Sequence, residues 1–131
     1  MKSRIAFAGM LLFISVAQVA AAQSVDYRAM YRKCLKDAGQ TNNTSVMQCS
    51  EQTSEILERE IDRLYQKVYD RIAAQQMKDA QQFEFSHKSW MAYRNSQCKL
   101  AGAYVGSPMY SYCPMQMNTS RVVELRELAG E

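Results

Sequence analysis

One imidazole, four thiols, a methionine cluster and a run of aligned carboxylates are the residues of this chain best placed to do chemistry. His87 is the single histidine, so a multi-histidine metal site or a histidine-paired nucleophile has little material. It shares a helical face with Phe83 and Trp90 and reads as a packed residue. Met109, Met115 and Met117 lie beside Tyr110 and Tyr112. Thioethers are soft ligands for copper(I), but methionines among aromatics more often form an apolar cover over the open end of a bundle, which is the reading adopted. Glu51, Glu55, Glu58 and Asp62 recur at steps of four, three and four residues and so align as one acidic stripe on a helix. Arg59, Arg63, Lys67 and Arg71 form a basic stripe on the adjoining face. A charged stripe is ordinarily a solvated surface; the functional alternative is docking to a basic protein. No catalytic constellation, metal site or cofactor site emerges, and the chain does not read as an enzyme.

The elements that must position these residues are helical. Apolar residues make up 47% of the 131 and charged residues 22%, a globular balance, while five Gly and two Pro are too few for a turn-rich sandwich or barrel. Tyr27, Met30, Tyr31, Cys34, Leu35 and Ala38 follow the three-four spacing of one helix, with Ser24 as cap and Gly39 as stop. A second helix runs from Asn43 or Thr44 to about Gln76, burying Val46, Ser50, Thr53, Leu57, Ile61, Leu64, Val68 and Ile72. A third, from about Asp79 to Tyr104, aligns Phe83, His87, Trp90, Arg94, Gln97 and Ala101 until Gly106-Ser107-Pro108 breaks it. After an irregular stretch through Cys113-Pro114, Thr119 caps a last helix holding Val122, Leu125 and Leu128, closed by Gly130. Asn42, Asn43 and Asn118, each in an Asn-X-Ser/Thr pattern, read as capping and turn residues. The expectation is an all-α bundle built on a long antiparallel hairpin, with two short flanking helices.

Residues 1–22 read as an address. Lys2 and Arg4 precede an apolar run from Ile5 to Val19, and Ala20-Ala21-Ala22 supplies a small-residue cleavage site, the pattern of a secretory signal peptide. At about 15 residues the run is short of the roughly 20 that span a bilayer. No Cys lies near the cut to accept a lipid. Removing Lys2 and Arg4 leaves 14 basic against 13 acidic residues, which implies neither a nucleic-acid grip nor a broad membrane-charge mechanism. Residues 23–131 are then a single domain, periplasmic or secreted and soluble.

An exported chain with four cysteines implies disulfides. Cys34 and Cys49 are 15 residues apart, as are Cys98 and Cys113. Chain entropy alone favours longer loops slightly, so topology decides. An antiparallel hairpin brings the start of the second helix and the end of the third to one pole, and Cys34 and Cys113 each reach it across one short connection. The local pairing, Cys34–Cys49 with Cys98–Cys113, is therefore favoured, although a crossed pairing stays conceivable because all four gather there.

The run Trp90-Met-Ala-Tyr-Arg94-Asn-Ser-Gln-Cys98 resembles the Trp-x3-Arg-x3-Cys signature of the LprI-type lysozyme-inhibitor domain. Tyr31-x2-Cys34, Cys49, Leu64-Tyr65-x3-Tyr69, Cys113 and Thr119-x-Arg121-x3-Leu125 complete the likeness, which extends from about Tyr27 to Leu128. His87 departs from the Gln usual three residues before the Trp, Arg63-Leu64-Tyr65 stands where Leu-Asn-x2-Tyr is common, and the lipid-accepting Cys of the founding type is missing. The resemblance implies a small helical exported protein that binds and blocks lysozyme. Trp90, Arg94 and Cys98 themselves are expected to be structural: Trp90 packing under the first or last helix, Arg94 tying loop carbonyls or a carboxylate, Cys98 bridging. The partner is expected to be a protein, a lysozyme-type cell-wall hydrolase that is occluded without chemistry. Contacts are expected from the stripe Glu51, Glu55, Glu58 and Asp62 and from Met109, Tyr110 and Tyr112. The second class is an immunity or envelope-interaction module against an exported toxin.

Overall fold

The computed structural model describes residues 25–131, so the expected signal segment and the Ser24 cap lie outside the described residues. Four helices follow: α1 (Tyr27–Asp37), α2 (Asn43–Ala73), α3 (Met77–Tyr104) and α4 (Met109–Ala129). The Asp26 carboxylate caps α1 by accepting from the Ala29 amide at 2.9 Å. Gly39, at φ 74°, provides the left-handed residue after it. Asn42 and Ser45 cap α2 reciprocally, each side chain accepting from the other's backbone N–H at 3.0 Å. Asn42 is thus a cap as expected, while Asn43 is already the first helical residue.

Neighbouring helices in sequence run antiparallel, and α4 returns parallel to α2. Ser111 meets Glu51, Arg126 meets Glu60 and the Leu128 carbonyl meets Arg71, in the same order along both helices. Helix α4 therefore lies along the α2 seam, with α3 on one flank and α1 on the other. Leu57, Leu64, Val68, Val122 and Leu125 are fully buried between α2 and α4, each worth roughly 1.5–3 kcal/mol relative to exposure. Of the expected α2 seam, Ser50 to Val68 is buried; Val46 and Ile72, nearer its ends, are half-covered.

Both disulfides follow the local pairing: Cys34–Cys49 and Cys98–Cys113, with Cα atoms 5.6 and 5.4 Å apart. They close the pole where α1 meets α2 and α3 meets α4. Among the described residues no helix is long and apolar enough to cross a membrane.

Three expectations need correction. Helix α4 starts at Met109, not Thr119, and runs through Cys113-Pro114 without a break. The Thr119 hydroxyl donates to the Met115 carbonyl at 2.8 Å from inside that helix and caps nothing. Asn118 is fully buried in α4 and is no turn residue. On α3, Gln97 is exposed, and Cys98 and Gly102 take the buried line instead.

Candidate functional site

Trp90 and Arg94 stand one turn apart on α3, facing α4. The half-buried Trp90 ring lies beside two guanidiniums, those of Arg94 and of Arg121 from α4, each 5.2 Å from the ring centre. Arg94 Nη1 donates to Asn118 Oδ1 at 2.8 Å and approaches Glu58 Oε1 at 3.6 Å. Asn118 Nδ2 points at Ser54 and Glu58, at 3.5 and 3.4 Å. One arginine thereby joins α3 to α4 and α2; the sequence suggests loop carbonyls or a carboxylate as its partner, and its shortest bond is to the Asn118 amide. Arg121 Nη1 donates to Glu124 at 2.9 Å and Nη2 lies 3.4 Å from His87 Nδ1.

Aromatic rings continue this line into the α2–α3 interface. His87 packs on Trp90 at 5.8 Å and on Tyr65 at 4.6 Å, and Tyr65 reaches Phe83 at 5.3 Å. Burial, and then the Arg121 charge, hold the His87 pKa below its ordinary value. A neutral ring can accept from Arg121 through Nδ1. His87 is thus packed, as its sequence neighbours imply.

The acidic stripe is exposed over its whole length. Glu51 accepts from the Ser111 hydroxyl at 2.8 Å, and Glu58 turns towards Arg94, whereas Glu55 and Asp62 make no ion pair among the described residues. The bond from Ser111 joins the stripe to the first turn of α4 and brings Glu51 beside the Met109–Tyr112 segment. Its two tyrosines diverge. Tyr110 lies 51% exposed against α3, over Gly102, where a β-carbon would run into its ring. Tyr112 turns to α1 and meets Tyr31, ring centres 5.6 Å apart. Met115 enters the core between the helices, and Met109 and Met117 are half-buried.

Three of the four residues of the basic stripe are tied into the fold. Arg63 bonds Glu60 at 2.8 Å and Glu131 at 2.7 Å, Lys67 bonds Glu131 at 2.7 Å, and Arg71 donates to the Leu128 carbonyl at 3.2 Å. Hydrogen bonds from Arg63 and then Lys67 pull the Glu131 carboxyl down to about 2. Within the acidic stripe, Glu55 and Asp62 are therefore the carboxylates least committed to the fold.

The profile of the family described as Lysozyme inhibitor LprI matches residues 34–125. The chain belongs to that family. The matched span holds all four cysteines, Trp90, Arg94, Asn118 and Arg121. No curated protein and no solved structure is a significant match.

Asn118, Ser111 and Gly102 were not among the expected site residues, and Arg121 entered only as a mark of the LprI likeness. The signal for Asn118 and Arg121 was the three-four spacing from Met115 through Asn118, Arg121 and Val122 to Leu125. Reading Cys113-Pro114 as a break cut that pattern short.

Proposed function

We propose that this LprI-family chain is an exported inhibitor that binds a lysozyme-type muramidase and occupies its cleft, with no chemistry of its own. The family match over residues 34–125 is the observation that carries the reading. The surface where Glu51 meets Ser111 supports it, because it combines aligned carboxylates with an exposed tyrosine. Carboxylates on one strip attract a basic enzyme and raise the association rate, an effect that salt screens. A part-exposed aromatic held in place is the usual anchor of an interface. Gly102 holds it here.

The test is a titration of the purified chain into chicken-type and goose-type lysozyme, read by clearing of cell-wall suspensions. Saturable inhibition near one-to-one stoichiometry is expected. Reversing Glu55→Lys and Asp62→Lys together should slow association and flatten its salt dependence. Tyr110→Ala, and Gly102→Ala by displacing the same ring, should speed dissociation. No inhibition of either enzyme at large molar excess would overturn the reading in favour of an immunity module against an exported toxin.

A further inference from the structure

Helix α3 is apolar on two sides. Its inner face packs on α2 and α4, yet Phe85, Tyr93, Leu100 and Tyr104 are 66, 60, 52 and 84% exposed on the opposite face. With Ser89 and Ser96 between them these residues fall at steps of four, four, three, four and four. At 100° per residue they stay within an arc of roughly 100°, about 28 Å long at 1.5 Å per residue. The stripe itself carries no charge. Lys88 and Lys99 stand at its edge, Lys88 held by Glu84 on its own helix.

We propose that this stripe is a two-fold interface with a second copy of the chain, α3 packing antiparallel on α3. The step pattern reads the same in both directions, so a two-fold axis between positions 94 and 95 superposes it on itself. In that register Phe85 meets Tyr104 of the other copy, Ser89 meets Leu100, and Tyr93 meets Ser96. Each large side chain of the middle section faces a serine, the large-to-small fit that lets helices approach closely. A self-complementary patch of this kind is what an isologous dimer requires. The area suffices: with 150–250 Å² per aromatic side chain, the four large residues of both copies expose about 1,000 Å² together, the threshold of a specific interface. A basic enzyme is the poorer occupant, since the stripe offers it no opposite charge. The dimer leaves the acidic stripe of each copy free on α2.

Sedimentation equilibrium of the purified chain from about 1 µM to 1 mM should give a mass approaching twice the monomer. Tyr93→Glu should weaken self-association at least 100-fold while the melting temperature and far-ultraviolet dichroism stay put. Nitroxides on Gln97→Cys, exposed at the edge of the stripe, and, separately, on Gln82→Cys read the register without relying on that variant. Equivalent Gln97 positions are offset by five residues along the pair, about 7.5 Å, and equivalent Gln82 positions by 25, about 37 Å. A short separation for the first and a long one for the second is expected. A monomer at every concentration, a dimer untouched by Tyr93→Glu, or equal separations at both positions would overturn the proposal.

Discussion

An amide buried between helices must find partners for two donors and an acceptor. Asn118 finds them on two helices: Arg94 of α3 donates to its oxygen, and its nitrogen faces Ser54 and Glu58 of α2. Asn118→Leu keeps the branched shape but strips Arg94 of its closest partner, so it should destabilise the fold by about 1–3 kcal/mol in chemical denaturation. His87 supplies a pH response. Burial and the facing Arg121 lower its folded pKa, with Asp62 opposing and Arg94 reinforcing, whereas the unfolded ring titrates near 6.5. Below 6.5 the unfolded chain binds the proton first. The stabilisation is therefore complete above about pH 6.5 and is lost as pH falls through the folded value. Melting temperature should decline over that interval in the native chain and hold level in His87→Gln, which has no proton to gain. A separate loss below about 4.5 should persist in both proteins, because Arg63 hydrogen bonds depress the Glu60 and Glu131 carboxyls and protonation breaks those pairs.

The helices differ in how plainly the sequence announces them. Helices α1 to α3 are legible because polar breaks separate long runs without Pro and with a single Gly, Gly102 in the last turn of α3, and the α2 seam repeats cleanly. The start of α4 is not legible. Pro114 lies in its second turn, where a missing amide costs one ladder bond to the Tyr110 carbonyl. The neighbouring Cys113 bridge and the turn bonds from Met109 and Tyr110 to Gly106 and Ser107 hold that turn regardless. Helix α3 misleads differently: with apolar residues on both faces its periodicity cannot say which is inside, and Gln97, aligned by spacing with Phe83 and His87, is exposed. The cysteine frame was legible from spacing. The polar ties were not, since their partners lie 24 to 64 residues apart. The two bridges should act unequally. Each closes a 15-residue separation, worth about 3 kcal/mol in the chain-entropy model. Removing Cys34 and Cys49 together should free α1, which buries only Tyr27 completely enough to count as core, and leave α2 to α4 folded with inhibition intact. Removing Cys98 and Cys113 should cost similar stability and also weaken inhibition, because the first turn of α4 presents Tyr110. Paired melting and inhibition measurements on the two double variants separate these outcomes.

At the scale of the whole molecule the two disulfides and the ion pairs that hold Glu131 lie towards opposite poles. Both disulfides sit where α1 meets α2 and α3 meets α4. The other pole has the Ala74–Gln76 turn and the grip of Arg63 and Lys67 on Glu131, side chains 29 to 49% exposed. Ion pairs this open contribute little against water and salt. The dense contact between parallel α2 and α4 bridges the two ends, and Leu57, Leu64 and Leu125 carry the middle.

A bundle sealed at one pole has a direction in which to come apart. Transient opening should begin at the α2–α3 turn and travel towards the cystines, so slow amide exchange should be graded along α2, fastest near Ile72 and slowest near Thr53. Reduction removes the seal and should abolish that polarity, accelerating exchange most at the cystine pole. A reversed or flat gradient in the oxidised protein would mean that the exposed ion pairs, and not the sulfur bridges, govern how the chain unzips.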